Sequence, residues 1–211
     1  MKVIAHRGYS HKYPESTRIA YEEAVKVGVD GFECDVRLSR NKEIVCFHDF
    51  STRRISGKFR LVSLQTTDQL RKLVNVLTLN ELLDIAINNQ KNLLIETKHP
   101  IFESFKLERK VVELLDSRKK EIEESRIEVI VMSFSFFAVQ RLKRMYPNVA
   151  KVVRYQLGAL LTRERTVAIS IRTLRKYPRI AHKLAHRRVY TWTVNSKSDF
   201  HWVRKIGRAH V

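Results

Sequence analysis

Histidines, basic residues and paired carboxylates recur in this sequence inside or directly after short apolar, β-prone runs: His6-Arg7, Glu33 and Asp35, His48-Asp49, Glu96 and Lys98. Side chains alternate along a strand, so Glu33 and Asp35 share one face, as do Glu96 and Lys98. In an α/β barrel that face is the interior, and the carboxyl ends of the strands form the active-site mouth. Three carboxylates converging there raise one another's pKa and cannot all stay ionised unaided. A divalent cation resolves the conflict, and all-carboxylate oxygen ligation suits Mg²⁺ or Ca²⁺ and not zinc, which prefers His and Cys. Glu33, Asp35 and Glu96 are therefore candidate metal ligands, and His6 and His48 are candidates for the acid and base. Arg7 and Lys98 are candidates to hold an anion such as a phosphate. Taken singly, each has a bland alternative as an ion-paired or ordinary surface or core residue; the conjunction carries the weight.

Elements of alternating type must position these groups. The pattern predicts strands at 2–5, 30–38, 92–97, 127–132, 150–155, 167–171 and 189–194, with 43–48 as an antiparallel companion of the second strand. Helices are predicted at 15–27, 78–88, 102–123, 136–145 and 174–185, and a last one begins near Ser196. Thr78 and Glu81 have capping-box spacing. Residues 51–76 lack a clear period and read as a loop-rich insertion with a short helix near 67–73. Alternation of this kind specifies a parallel sheet with crossover helices. No Gly-rich phosphate loop follows the first strand, which weakens a nucleotide-binding reading.

The chain has 211 residues, 44% of them hydrophobic, with only six Gly and four Pro, which excludes collagen-like and disordered classes. It is short for an eight-strand α/β barrel, which typically needs about 250 residues. The 41 Lys+Arg against 22 Asp+Glu give a net charge of +19, and residues 151–211 carry 15 basic against two acidic side chains, or +13 of that total. Such a field concentrates anions without naming them. Two cysteines, no leader-like apolar core and no long apolar run predict a cytoplasmic protein with reduced thiols. Cys34 and Cys46 are expected to point in opposite directions. His182 and His186 are spaced i, i+4, but they lack the glutamate of a zinc-protease helix and read as part of a solvated basic helix.

His6-Arg7-Gly8, Pro14-Glu15-Ser16-Thr17, Glu33-Cys34-Asp35, His48-Asp49 and Glu96-Thr97-Lys98 resemble, in order and spacing, the signature set of the glycerophosphodiester phosphodiesterase family. The likeness continues through Thr78-Leu79-Asn80-Glu81-Leu82-Leu83, Ser133-Phe134 and Trp192-Thr193-Val194-Asn195, and so covers nearly the whole chain. The resemblance implies a metal-dependent TIM-type (β/α)8 barrel that hydrolyses glycerophosphodiesters to glycerol 3-phosphate and an alcohol. Matched position by position, it implies Glu33, Asp35 and Glu96 as ligands of Mg²⁺ or Ca²⁺, His6 and His48 as the acid/base pair, and Arg7 and Lys98 as phosphate-binding cations. It also favours Trp192 as a cleft residue. The attacking hydroxyl is either water or the neighbouring glycerol hydroxyl, and which histidine is acid and which base stays open.

Two departures stand out. Ser16 occupies a place where the family usually has Asn, and Asn41-Lys42 replaces its Asp-Gly turn. The expected layout is one barrel domain over 1–205 with the short insertion at 51–76, lacking the last strand and helix of the barrel. Residues 206–211 can be encoded by DNA resembling a sequencing adapter and are read as a non-native tail, the alternative being a natural, slightly shortened terminus. The expected partners are a small glycerophosphodiester and, weakly, an anionic lipid surface met by the basic C-terminal half; the oligomeric state is left open. A lysophospholipase D-type reaction on the same site is the alternative enzyme. A basic nucleic-acid-binding module explains the charge but not the carboxylates, and it lacks a recognition motif.

Overall fold

A computed structural model describes residues 1–99 and 105–205. Strand β1 (Ile4–His6) leads through α1 (Arg18–Lys26) to β2 (Gly31–Leu38) and its antiparallel companion β3 (Ile44–Cys46). The next segment holds α2 (Arg53–Ser56), a 3-10 turn (Val62–Leu64) and α3 (Thr67–Val74), and is followed by α4 (Leu79–Asn88). Then come β4 (Asn92–Thr97), α5 (Lys106–Ser117), α6 (Lys119–Ser125), β5 (Val129–Ser133), α7 (Phe136–Leu142) and β6 (Val149–Val153). The described chain finishes with α8 (Gln156–Leu161), β7 (Thr166–Ser170), α9 (Ile171–Lys176), α10 (Arg179–Lys183), β8 (Arg188–Trp192) and α11 (Lys197–Lys205).

Seven strands pair in parallel in the order β1-β2-β4-β5-β6-β7-β8, with β3 alone antiparallel on β2, so the sheet is the barrel-type one that the sequence predicts. The predicted tail at 206–211 lies outside the described residues. A parallel sheet packed on both faces needs strands buried throughout, and all eight residues of β2 are buried. Register then sorts the interior face. His6 aligns with Glu33, Glu33 with Leu94, and Leu94 with Ile130; one step nearer the mouth, Asp35 aligns with Glu96, and Glu96 with Met132. Ile4, Leu94, Ile130, Ala150, Ala168 and Tyr190 fill the interior with apolar atoms beneath the ionisable groups. A larger cluster, including Phe32, Leu82, Leu93, Ile95 and Val111, seals the sheet against its helices.

Three helical expectations are corrected. The predicted 102–123 helix divides among the described residues at Arg118, whose backbone leaves the helical region at φ −107° and ψ 10°; its guanidinium meets Asp84 at 2.9 Å and Glu121 at 2.6 Å. The predicted 174–185 helix divides at Tyr177-Pro178, because a proline ring disfavours helical geometry in the preceding residue. His182 lies in α10, which ends at Lys183, so His186 does not share its helix, and both are exposed. The segment 156–161, which the sequence leaves unassigned around Gly158, forms α8.

The cysteines correct a fourth expectation. Val36 faces Cys46 across the β2–β3 ladder, and partners across a ladder point to the same side, so Cys34 and Cys46 enter the same apolar cluster. Both are free. The insertion is more ordered than its lack of period suggests: Val62, Leu70 and Val76 pack with Val45 and Phe47 into a small core of their own.

Gly8 turns the chain off β1 at φ 79°, and a Cβ there would lie 2.7 Å from the carbonyl carbon of Ala20 in α1. Gly8→Ala combines left-handed strain with a clash against backbone, each costing about 1–3 kcal/mol, so a loss of roughly 3 kcal/mol is expected in urea unfolding. Gly28→Ala is the control: its φ is also 79°, but among the described residues nothing lies within 4 Å of a Cβ there.

Candidate active site

Every sequence-predicted site residue reaches one mouth. His6 ends β1 and Arg7 follows it; Glu33 and Asp35 lie in β2, His48 follows β3, Glu96 lies in β4 with Lys98 after it, and Trp192 ends β8. His6, Arg7, Glu33, His48, Glu96, Lys98 and Trp192 line a single pocket together with Phe134 and Arg154. Asp35 adjoins the pocket without lining it, and Arg7 Nε approaches it at 2.8 Å and Lys98 Nζ at 2.9 Å. Lys98 Nζ also donates to Glu96 Oε1 at 2.5 Å. His6 Nε2 lies 3.7 Å from Glu33 Oε2.

One oxygen from each of Glu33, Asp35 and Glu96 lies within 4.8 Å of the other two. Burial, reinforced by Asp35 and Glu96, holds Glu33 well above the ordinary glutamate range. Burial and then Asp35 push Glu96 up to about 7 despite Lys98. Asp35 feels the same burial, but Lys98 and Arg7 more than offset it and keep the group below its ordinary value. The site thus stores a conflict of like charges that a divalent cation would relieve. Buried Glu33 Oε2 accepts no hydrogen bond among the described residues, and the all-oxygen donor set fits a hard cation.

Both histidines are biased toward the neutral form. Burial, helped by Arg7, takes His6 down to about 4, and burial also lowers His48 against the pull of Asp35. His48 is aimed by its neighbours: Nδ1 lies 2.6 Å from Asp49 Oδ1, and Arg37 Nε donates to the His48 carbonyl at 3.0 Å. Asp49 is itself held by Arg54 Nε at 2.6 Å, and Arg54 forks onto Glu15, at 2.6 and 3.0 Å, which also accepts from Arg7 Nη1 at 3.2 Å. This Asp49–Arg54–Glu15 chain ties His48 to Arg7.

Ser16 donates its backbone N–H to the Arg7 carbonyl at 2.9 Å and adopts φ 58°, a left-handed conformation that Asn tolerates better than most residues. That explains physically why Asn is the more usual occupant. Glu15 and Phe134 lie in matched motifs without an assigned role, and Arg54 and Arg154 carry no motif at all. Arg154 and Phe134 were within reach: each lies two positions beyond an inward-facing strand residue, Val152 and Met132. Arg54 had no such signal, because it sits in the aperiodic insertion.

A crown of carboxylates, histidines and cations over a parallel α/β-barrel sheet defines an enzyme of the barrel class, with a mouth suited to a phosphorylated substrate. The model of the glycerophosphoryl diester phosphodiesterase family matches residues 6–211. A Mycobacterium tuberculosis protein named "Probable glycerophosphodiester phosphodiesterase 1" is 33% identical over 239 residues, covering 99% of this chain and 87% of that protein. The fold is shared with a glycerophosphodiester phosphodiesterase from Thermotoga maritima, at TM-score 0.83 and 20% identity, covering 100% of this chain and 94% of that one. It is also shared with an Oleispira antarctica phosphodiesterase solved with its product sn-glycerol-3-phosphate, at TM-score 0.78 and 22% identity, covering 100% and 92%. The chain belongs to the glycerophosphoryl diester phosphodiesterase family, and is thereby a phosphoric diester hydrolase.

Proposed function

We propose that this protein hydrolyses glycerophosphodiesters to glycerol 3-phosphate and an alcohol, using a divalent cation held by Glu33, Asp35 and Glu96. The observation that carries the reading is the meeting of those three carboxylates with two histidines and two cations at one mouth. A cation bound there supplies Lewis acidity to the phosphoryl oxygens, and either Mg²⁺ or Ca²⁺ suits the donors. Arg7 and Lys98 orient the phosphoryl group and oppose the charge that builds on it. One histidine withdraws the proton of the attacking hydroxyl and the other protonates the leaving oxygen. Asp49 keeps His48 in the orientation this requires, through the Nδ1 contact. Trp192 walls the pocket, with its ring edge-on to Phe134 at 5.7 Å.

Residues 1–205 act as one barrel domain on this reading, and the insertion supports the site through Arg54. A cytoplasmic location accords with two free thiols, and no helix among the described residues is long and apolar enough to cross a membrane. The test is release of glycerol 3-phosphate from glycerophosphocholine; no release from any glycerophosphodiester refutes the proposal.

A second reading, turnover of lysophospholipids at a lipid surface, is favoured by one observation. Phe136, Phe137, Tyr155, Leu157 and Leu161, which follow β5 and β6, are 61–73% exposed, and Lys and Arg abound in the same half of the chain. Lysophosphatidic acid released from lysophosphatidylcholine, together with cosedimentation with anionic but not neutral vesicles, would support it.

A further inference from the structure

Beyond the catalytic pocket lies a second, larger cleft of about 920 Å³, and the two share Arg154, Trp192 and Thr193 as lining. A molecule anchored by its phosphoryl group in the first can therefore extend into the second. The cleft also takes Arg172 and Lys176 from α9, and Tyr177 just after it, and among the described residues no Asp or Glu lines it.

These cations differ from those at the catalytic centre. Arg7 and Lys98 are each paired with carboxylates. Arg154, Arg172 and Lys176 have no carboxylate partner among the described residues; their neighbour Arg175, outside the lining, is the one paired with Asp199. Arg154 is nevertheless held in place, with its guanidinium 5.7 Å from the Phe134 ring centre and 5.8 Å from that of Trp192. A guanidinium steadied on aromatic faces keeps its donor edge free for a bidentate oxyanion.

We infer that this cleft is a subsite for the leaving alcohol and selects alcohols that carry a further negative charge, a phosphate above all. The inference rests on the glycerophosphodiesterase reading and deepens it. The diester phosphate occupies the catalytic pocket, while the alcohol lies along Trp192 and Tyr177 and presents its second anion to Arg154, Arg172 and Lys176. A cationic alcohol such as choline finds no counter-charge there.

Glycerophosphoinositol and glycerophosphoinositol 4-phosphate make a matched pair, identical but for one phosphate, with glycerophosphocholine as the cationic comparison. At low ionic strength kcat/KM is expected to be about tenfold or more higher for the phosphorylated ester, chiefly through KM, and the advantage should shrink as salt screens it. In the double variant Arg172→Gln/Lys176→Gln, whose two positions are exposed, the ratio should fall toward one. In Arg144→Gln, an exposed site away from both clefts, it should persist. Equal kcat/KM for the two inositol esters in the parent protein, or a preference that survives the double variant, would overturn the subsite alone. Failure to hydrolyse any of the three esters would overturn the activity on which it rests.

Discussion

Replacing either His6 or His48 with alanine is expected to lower glycerol 3-phosphate release by about 10³-fold, while divalent cation binding changes little. Each positioned acid or base contributes typically ~10²–10⁴-fold. Neither ring is among the carboxylate oxygens that would hold the ion, so proton transfer and metal affinity separate. Equilibrium binding of the ion, followed calorimetrically, supplies the second readout. The two variants should differ in one respect. His48 is aimed through Asp49, which Arg54 holds in turn, so Asp49→Asn should weaken turnover in the same direction as His48→Ala but less. Near-normal turnover in both histidine variants would sink the acid/base assignment.

The second large effect is on stability and has a definite sign. Glu96 is pushed up to about 7 by burial and then by Asp35, above the ordinary glutamate value of about 4.3. A carboxyl whose folded pKa is raised contributes stability that is fully present below the unfolded pKa and is lost as pH rises through the folded one. Metal-free protein should therefore lose stability between about pH 4.5 and pH 7, by on the order of 3 kcal/mol from this group. Glu33, also raised, acts in the same direction, whereas the lowered His6 and His48 gain stability as pH rises toward the ordinary histidine value of about 6.5 and offset part of the loss. Ligation by a cation reverses the preference, because the ligands must then be ionised. The thermal midpoint of chelated protein should thus be lower at pH 8 than at pH 5.5, and added Mg²⁺ or Ca²⁺ should raise it most at pH 8. In Glu96→Gln the difference between the two pH values should narrow. A pH difference as large in Glu96→Gln as in the parent would contradict the buried-carboxylate account.

Most of the site was legible because its signal is periodic. Glu33 and Asp35, two apart in a strand whose alternate positions Phe32, Cys34 and Val36 are apolar, had to share a face, and so did Glu96 and Lys98; strand β4 falls on the predicted residues 92–97. Once the parallel order is set, register alone brings Asp35 beside Glu96. The misses have physical causes of the opposite kind. Arg54 reaches Asp49 and Glu15 across 5 and 39 residues from a segment with no period, and no local pattern encodes such a contact. The helix breaks at Arg118 and Pro178 were set by an ion-pair hub and a pyrrolidine ring, within stretches whose apolar spacing continues. The thiols were misplaced because Cys46 shares a face with His48 only if the strand runs on, and β3 ends at Cys46.

The charge asymmetry also takes on a place. Much of the surplus in the second half is distributed over exposed helices, but Arg154, Arg172 and Lys176 gather at the cleft that adjoins the catalytic pocket. The carboxylate side of the mouth is built from β2 and β4 and the cationic side from the segments after β6 and β7. A substrate with its phosphoryl group at the first side meets positive charge at the second.

If Glu33, Asp35 and Glu96 hold a divalent cation, as proposed, hydrolysis depends on it. The most direct measurement is glycerol 3-phosphate release from glycerophosphocholine by protein stripped with a chelator, then titrated with Mg²⁺ or Ca²⁺, alongside Glu33→Gln. Turnover is expected to vanish on stripping, to return saturably with one of the two ions, and not to return in the variant. Turnover that persists at full rate in stripped protein, or that Glu33→Gln leaves intact, would contradict it.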